Sequence, residues 1–295
     1  MSSKPRISDI VEASKGTLRV QHSMGSGDPY ISQARLMLAV LHDGTEDRLL
    51  GDVQEIFASY REHLREYIHI ERDIGTTELA DDVREDIKGT LALHVLPPRG
   101  IVDVNRLREC ALPMEFPPNC TDRITEQLLQ LHSSTVTAMQ LALDETKDGR
   151  GARTVLDLHS MSPWSPAGMA PKTQWNWLEK HVAYWANAVG GEPRPIDLID
   201  ATEDGEMIGD RKLSEQLKSA FEQSGYPVAF NKPYAKSRKR HPMFTEKRGV
   251  SVDFRKDDLA DSPGERFNLV DCLPSKGKIA RVAGILGEVL KKYLR

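Results

Sequence analysis

The stretch "TVLDLHSMSPW", residues 154–164, decides how the rest of the chain is read. An apolar run holding Asp157 leads into His159 and Ser160, and Pro163 then breaks the chain. A short apolar run closed by a breaker reads as a buried strand. The feature to explain is the imidazole at its end.

Working outward, helical and strand patterns alternate. "NCTDRITEQLLQLHSSTVTAMQLALDETKDG" before it is a long amphipathic helix, with Thr121 or Asp122 as its cap and Gly149 as its stop. "PKTQWNWLEKHVAYWANAVGG" after it is a helix, followed by the strand "PIDLIDA" and the helix "DRKLSEQLKSAFEQSG", ended by Gly225. "YPVAFNKPY" and "GVSVDFRKD" read as strands, and "KGKIARVAGILGEVLKKYLR" as a closing helix. Upstream, "TLRVQH" is a strand ending at His22, and "ISQARLMLAVLHD" fits a helix or a long strand. "LLGDVQEIFASYREHLREYIHIERD" and "TELADDVREDIKG" have helical spacing. "TLALHVL" is a strand, and "GIVDVNR" is another strand or its extension. This alternation predicts an α/β fold, a three-layer α/β/α arrangement with a mixed, mostly parallel central sheet. No repeat or low-complexity linker divides the chain, so a single domain over residues 1–295 is expected.

Composition narrows the function. The 295 residues are 39% hydrophobic and 28% charged, with a formal net charge of -4, which gives no reason to expect nucleic acid or a membrane surface as partner. No apolar run is long enough to span a bilayer, and "MSSKPRISDI" lacks a signal-peptide core. Cys110, Cys120 and Cys272 form no metal-type spacing and read as reduced thiols of a cytoplasmic protein.

In open α/β sheets, ligands bind outside the C-terminal ends of strands. That rule selects His22, Asp103 to Arg106, His159 and Asp253. His22 and His159 each end an apolar run and precede a Ser, so the pair suits zinc with a third, carboxylate ligand and an open position for water. A lone histidine at a strand end is more often a structural residue than a ligand. Asn105 and Arg106 offer donors matched to a substrate carboxylate, unless Arg106 is spent on a neighbouring helix. By alternation Ser251, Asp253 and Arg255 share one strand face, where Asp253 could act as a general base or pair with an Arg. The basic stretch with Arg238, Arg240 and His241 reads either as a solvated face or as a guard for an anionic substrate.

Taken in order, the residues after the His22 strand, "ERDIGTTELADDV" (71–83), "RGIVDVNR" (99–106), "LDLHSM" (156–161), "NKPY" (231–234) and "GVSVDFRKDDL" (249–259) resemble the N-formylglutamate amidohydrolase family, over roughly residues 18 to 260. That family is similar in fold to the zinc carboxypeptidases. The resemblance implies a phosphorylase/hydrolase-like, zinc carboxypeptidase-like α/β/α scaffold. It implies a hydrolase with one Zn2+ or another divalent ion, acting on the C–N amide bond of an N-acyl amino acid such as N-formylglutamate. It implies His22, Asp73 and His159 as metal ligands, with Asp28 or Glu71 as alternatives to Asp73. Asp253 is then the base, where the family has Glu. Asn105 and Arg106 are the carboxylate clamp, and Tyr234, Arg238, Arg240 and His241 border the substrate. Asp157 is a candidate to back His159. Met24 interrupts the family's His-Ser-Gly, and "AKSRKRH" replaces its Gly-Gly after "NKPY". A carboxypeptidase-like peptidase, an amidase on a modified amino acid, or a silent binding protein are the competing expectations.

Overall fold

The computed structural model describes residues 6–42, 44–45, 55, 61–112, 116, 120–144, 154–165, 178–187, 191–234 and 249–295. Gly149, most of the helical pattern before Arg61, and the basic segment with Arg238, Arg240 and His241 lie outside these residues.

Seven strands form the central sheet: β1 (Leu18–His22), β2 (Leu36–Val40), β3 (Thr90–Val95), β4 (Thr154–Met161), β5 (Ile196–Ile199), β6 (Val228–Phe230) and β7 (Gly249–Arg255). They lie in the order β1-β3-β2-β4-β7-β5-β6. β3, β2, β4 and β7 run parallel, β1 is antiparallel at one edge, and β5 is antiparallel to β7 with β6 parallel to it. The sheet is therefore mixed and mostly parallel. All five residues of β2 and all eight of β4 are buried, as a strand covered on both faces requires.

Side-chain alternation splits the core into two layers. Met37, Ala39 and Val155 face one cluster, which α1 (Ile7–Ser14), α2 (Arg61–Glu71), α4 (Asp122–Asp144) and α5 (Leu178–Asn187) complete through residues such as Ile10, Tyr67, Leu128 and Leu178. Leu38, Leu156, Leu158, Val252 and Phe254 face the other, completed by α3 (Thr76–Asp86), α6 (Arg211–Gln223) and α8 (Lys276–Tyr293) through Leu79, Phe221 and Leu286. Phe221 and Phe254 meet edge to face at 5.7 Å, both fully buried. Burying such a ring contributes about 1.5–3 kcal/mol. α6 begins where the Asp210 carboxylate accepts from Leu213 N–H, and ends before Gly225 at φ +89. A four-residue helix, α7 (Lys256–Leu259), and a small ribbon of β8 (Ala260–Asp261) with β9 (Leu273–Pro274) follow β7. Among the described residues no helix is long and apolar enough to cross a membrane.

Three sequence expectations change. "ISQARLMLAVLHD" is neither a helix nor a long strand, but a single 3-10 turn (Ile31–Gln33) leading into β2. "GIVDVNR" forms turns rather than a strand. There the Asp103 carboxylate accepts from Asn105 N–H at 2.9 Å and from Arg106 Nε–H at 2.9 Å, local bonds that compete with strand pairing. Finally, β1 is antiparallel to β3 with His22 opposite Leu91, so its C-terminal end lies at the N-terminal end of the parallel strands.

Candidate active site

Parallel β2, β4 and β7 deliver their C-terminal ends to one edge of the sheet. His42 lies two residues beyond β2, and His159 is on β4 near its end. Asp73 comes from the turn between α2 and α3, where its N–H donates to His42 O at 2.8 Å and its own carbonyl accepts from Thr76 Oγ at 2.7 Å. Gly75 makes this turn possible, because φ there is +86 and a Cβ would stand 2.7 Å from Leu259 Cβ.

Three ligand-type atoms converge. His42 Nδ1 is 3.1 Å from Asp73 Oδ2, His159 Nδ1 is 2.8 Å from the same oxygen, and the two Nδ1 atoms are 3.1 Å apart. All three residues are buried. Tetrahedral zinc, with bonds of about 2.0–2.1 Å, sets its ligand atoms about 3.3 Å apart. The triangle fits such an ion.

Each imidazole is backed on its other nitrogen by a carboxylate. His42 Nε2 is 3.2 Å from Asp103 Oδ1. His159 Nε2 is 2.9 Å from Asp157 Oδ1, an ion-pair contact without the direction of a straight hydrogen bond. Asp157 also accepts from Ser251 Oγ at 2.5 Å. In the tautomer with the proton on His42 Nε2, facing Asp103, the His42 Nδ1 lone pair is turned inward, as a metal ligand requires. Burial alone pushes Asp73 and Asp103 up, but His42 acting on both, with His159 on Asp73 and Arg99 and Arg106 on Asp103, holds both well below the usual carboxylate range. Burial pulls His159 down, and Asp157 and Asp73 outweigh it, so its pKa is raised. Replacing Asp103 with Asn is expected to weaken metal affinity about 10- to 100-fold in a chelator competition, since the orienting charge on His42 is lost.

The centre opens into a crevice of about 190 Å3, room for a ligand of amino-acid size. Asp253, Asn105 and Tyr234 line it. Asp253 is level with His159 across β4 and β7, and with Asp197 across β7 and β5. Burial, and secondarily the Asp253 charge, push Asp197 up to about 7 against hydrogen bonds from Lys232 N–H and Tyr234 N–H. Glu71 also lines the crevice, 3.4 Å from His181 Nε2.

Other expected residues fall elsewhere. His22 is at the opposite end of the sheet, because β1 runs antiparallel, and His42 stands where it was expected. Asp28 sits beside Ser8 and Arg6 near the N-terminus. Arg106 does not line the crevice; its side chain is 42% exposed and its Nε–H is bonded to Asp103. Of the two residues read as a carboxylate clamp, only Asn105 lines the crevice. Arg99, Arg194 and Lys256 line the crevice and were not singled out from the sequence. His42 had the same signature as His159, an apolar run ending in an imidazole, and strand ambiguity hid it. Arg194 carries no such mark, because it precedes its strand.

A crevice that gathers two imidazoles, a shared carboxylate and flanking ionisable groups at the C-terminal edge of a parallel sheet defines an α/β enzyme site. The chain belongs to the N-formylglutamate amidohydrolase family, hydrolases of carbon–nitrogen bonds, whose sequence profile matches residues 35–251. The match begins beyond His22 and includes His42, Asp73 and His159. Among solved structures, the N-formylglutamate amidohydrolase of Ralstonia eutropha JMP134 superposes with a TM-score of 0.56 at 16% identity, over 95% of this chain and 98% of that one. A gene product of Agrobacterium tumefaciens gives 0.57 at 15% identity, over 96% of each chain. At such identities the likeness is one of fold. No curated protein sequence matches the chain.

Proposed function

We propose that this protein is a zinc-dependent amidohydrolase that cleaves the C–N bond of an N-acyl amino acid, with N-formylglutamate as the leading substrate. The observation that carries the reading is the convergence of His42 Nδ1, Asp73 Oδ2 and His159 Nδ1 at 2.8–3.1 Å. These three residues would hold the ion. When bound, a divalent ion polarises the scissile carbonyl and makes water acidic enough to attack near neutral pH.

The chain's own groups account for the remaining steps. Asp103 and Asp157 fix the two imidazoles. Asp253 takes a proton from the attacking water and returns it to the leaving amine, which departs as the free amino acid. Asn105 orients the substrate through its amide. Arg238, Arg240 and His241 are proposed to supply the donor for the tetrahedral oxyanion. Free Cys110, Cys120 and Cys272 are in keeping with a reducing, cytoplasmic setting.

The test is release of formate from N-formylglutamate. Turnover should vanish after dialysis against a chelator and return with added zinc. Full turnover by metal-free protein would overturn the zinc dependence. Cleavage of short peptides with none of N-acyl amino acids would overturn the substrate class.

A further inference from the structure

We propose that Arg194, seated against Tyr234 on the β5 side of the crevice, binds a carboxylate of the substrate and so sets its specificity. This inference rests on the proposed substrate class, an N-acyl amino acid with a free carboxylate.

Among the described residues two arginines and one lysine line the crevice, and two of these three are already committed. Arg99 lies 3.6 Å from Asp103 and 4.0 Å from Asp73. Lys256 is buried and donates its Nζ–H to Ile70 O. Arg194 differs. Its Nη1–H donates to Tyr234 Oη at 3.1 Å and approaches Met161 Sδ at 3.6 Å, and its guanidinium stands 5.6 Å from the Tyr234 ring centroid. None of these partners carries a negative charge. Its Nε is buried without a hydrogen-bond partner, and among the described residues its side-chain contacts are with Tyr234 and Met161 rather than with a carboxylate.

A guanidinium held by a phenol and a thioether is oriented but not neutralised. Its planar fork fits a carboxylate bidentately, which a lysine at this place could not do. The position is also built. Arg194 N–H donates to Pro163 O at 2.9 Å, just beyond β4. The Asp197 carboxylate accepts from Lys232 N–H at 2.8 Å and Tyr234 N–H at 3.0 Å, fixing the turn that carries Tyr234 over Arg194. Because β5 is antiparallel to β7, its N-terminal end, and Arg194 with it, meets the C-terminal ends of the catalytic strands. Arg194 therefore takes the place of Arg106, whose guanidinium is occupied outside the crevice.

The experiment compares wild type, Arg194→Gln, Arg194→Lys and Tyr234→Phe, all zinc-loaded. The substrates are N-formylglutamate and its two monoamides, and glutarate binding is measured by calorimetry. Arg194→Gln should lower kcat/KM for N-formylglutamate about tenfold to a hundredfold, mainly through KM. One monoamide, lacking the recognised carboxylate, should be equally poor with wild type and with Arg194→Gln. Arg194→Lys should recover part of the loss, and Tyr234→Phe should show a smaller loss with the same preference. Glutarate binding should weaken about tenfold in Arg194→Gln whether or not any substrate turns over. The inference is overturned if Arg194→Gln leaves glutarate binding unchanged, or if its effect is the same on both monoamides as on the parent. A wild type inert toward all N-acyl amino acids would overturn the substrate class alone, and glutarate binding would still decide the role of Arg194.

Discussion

Replacing His159 with Ala is expected to lower kcat/KM by about three orders of magnitude or more, because the Lewis acid of the proposed metal centre would contribute several kcal/mol. His159 occupies the middle of the constellation. Its Nδ1 faces both Asp73 and His42, its Nε2 faces Asp157, and it sits on the central strand of the sheet. Truncation removes one of the three proposed ligand atoms and leaves Asp157 and Asp73 buried with one counter-charge fewer. The loss should therefore appear also as a lower thermal midpoint in metal-free protein, an effect of unpaired buried charge. A variant with near wild-type kcat/KM would mean that the reacting centre lies elsewhere.

Asp253→Asn should lower kcat about 10²- to 10⁴-fold with little change in KM, the signature of a lost proton-transfer group. The register leaves little freedom in this assignment. Val252 and Phe254 are locked into one core layer, so Asp253 must face the layer that holds the crevice. The same substitution has a second consequence. Asp253 is one of the groups that raise Asp197, so a neutral Asn should let the Asp197 pKa fall from about 7. The sign for stability follows from linkage. Asp197 binds its proton more tightly folded than unfolded, so its effect on stability is unfavourable to the folded state as pH rises from about 4 through about 7. Asp253→Asn should flatten that slope, which denaturant unfolding at several pH values measures. Asp253→Glu, which restores the longer carboxylate of the family pattern, should keep more activity than Asn.

The sequence made the layers legible because their signals are local. β4 and β7 are apolar runs with clear limits, α6 has a capping Asp210 and a stop at Gly225, and α6 and α8 both have amphipathic spacing. His159 and Asp253 could be picked because each sits on a strand whose pattern has one reading. His42 was hidden by a different cause. Leu36 to Val40 is apolar throughout, and such a run fits a buried helix as well as a two-sided strand. Strand direction is also absent from local pattern. "TLRVQH" is a good strand, yet only its pairing with β3 shows that His22 points to the wrong end. Arg99, Arg194 and Lys256 reach the crevice from a loop, from the start of an antiparallel strand and from a helix start, so their meeting is purely tertiary. Asp103 bonding to its own neighbours explains both the missing strand at "GIVDVNR" and the diversion of Arg106.

The central claim is that His42, with Asp73 and His159, forms the metal centre and that His22 has no part in it. The most direct test is the zinc content of wild type, His42→Ala and His22→Ala, purified in parallel and measured by elemental analysis. The account predicts close to one ion per chain in wild type and in His22→Ala, and a large loss in His42→Ala. Full zinc in His42→Ala together with loss in His22→Ala would contradict it.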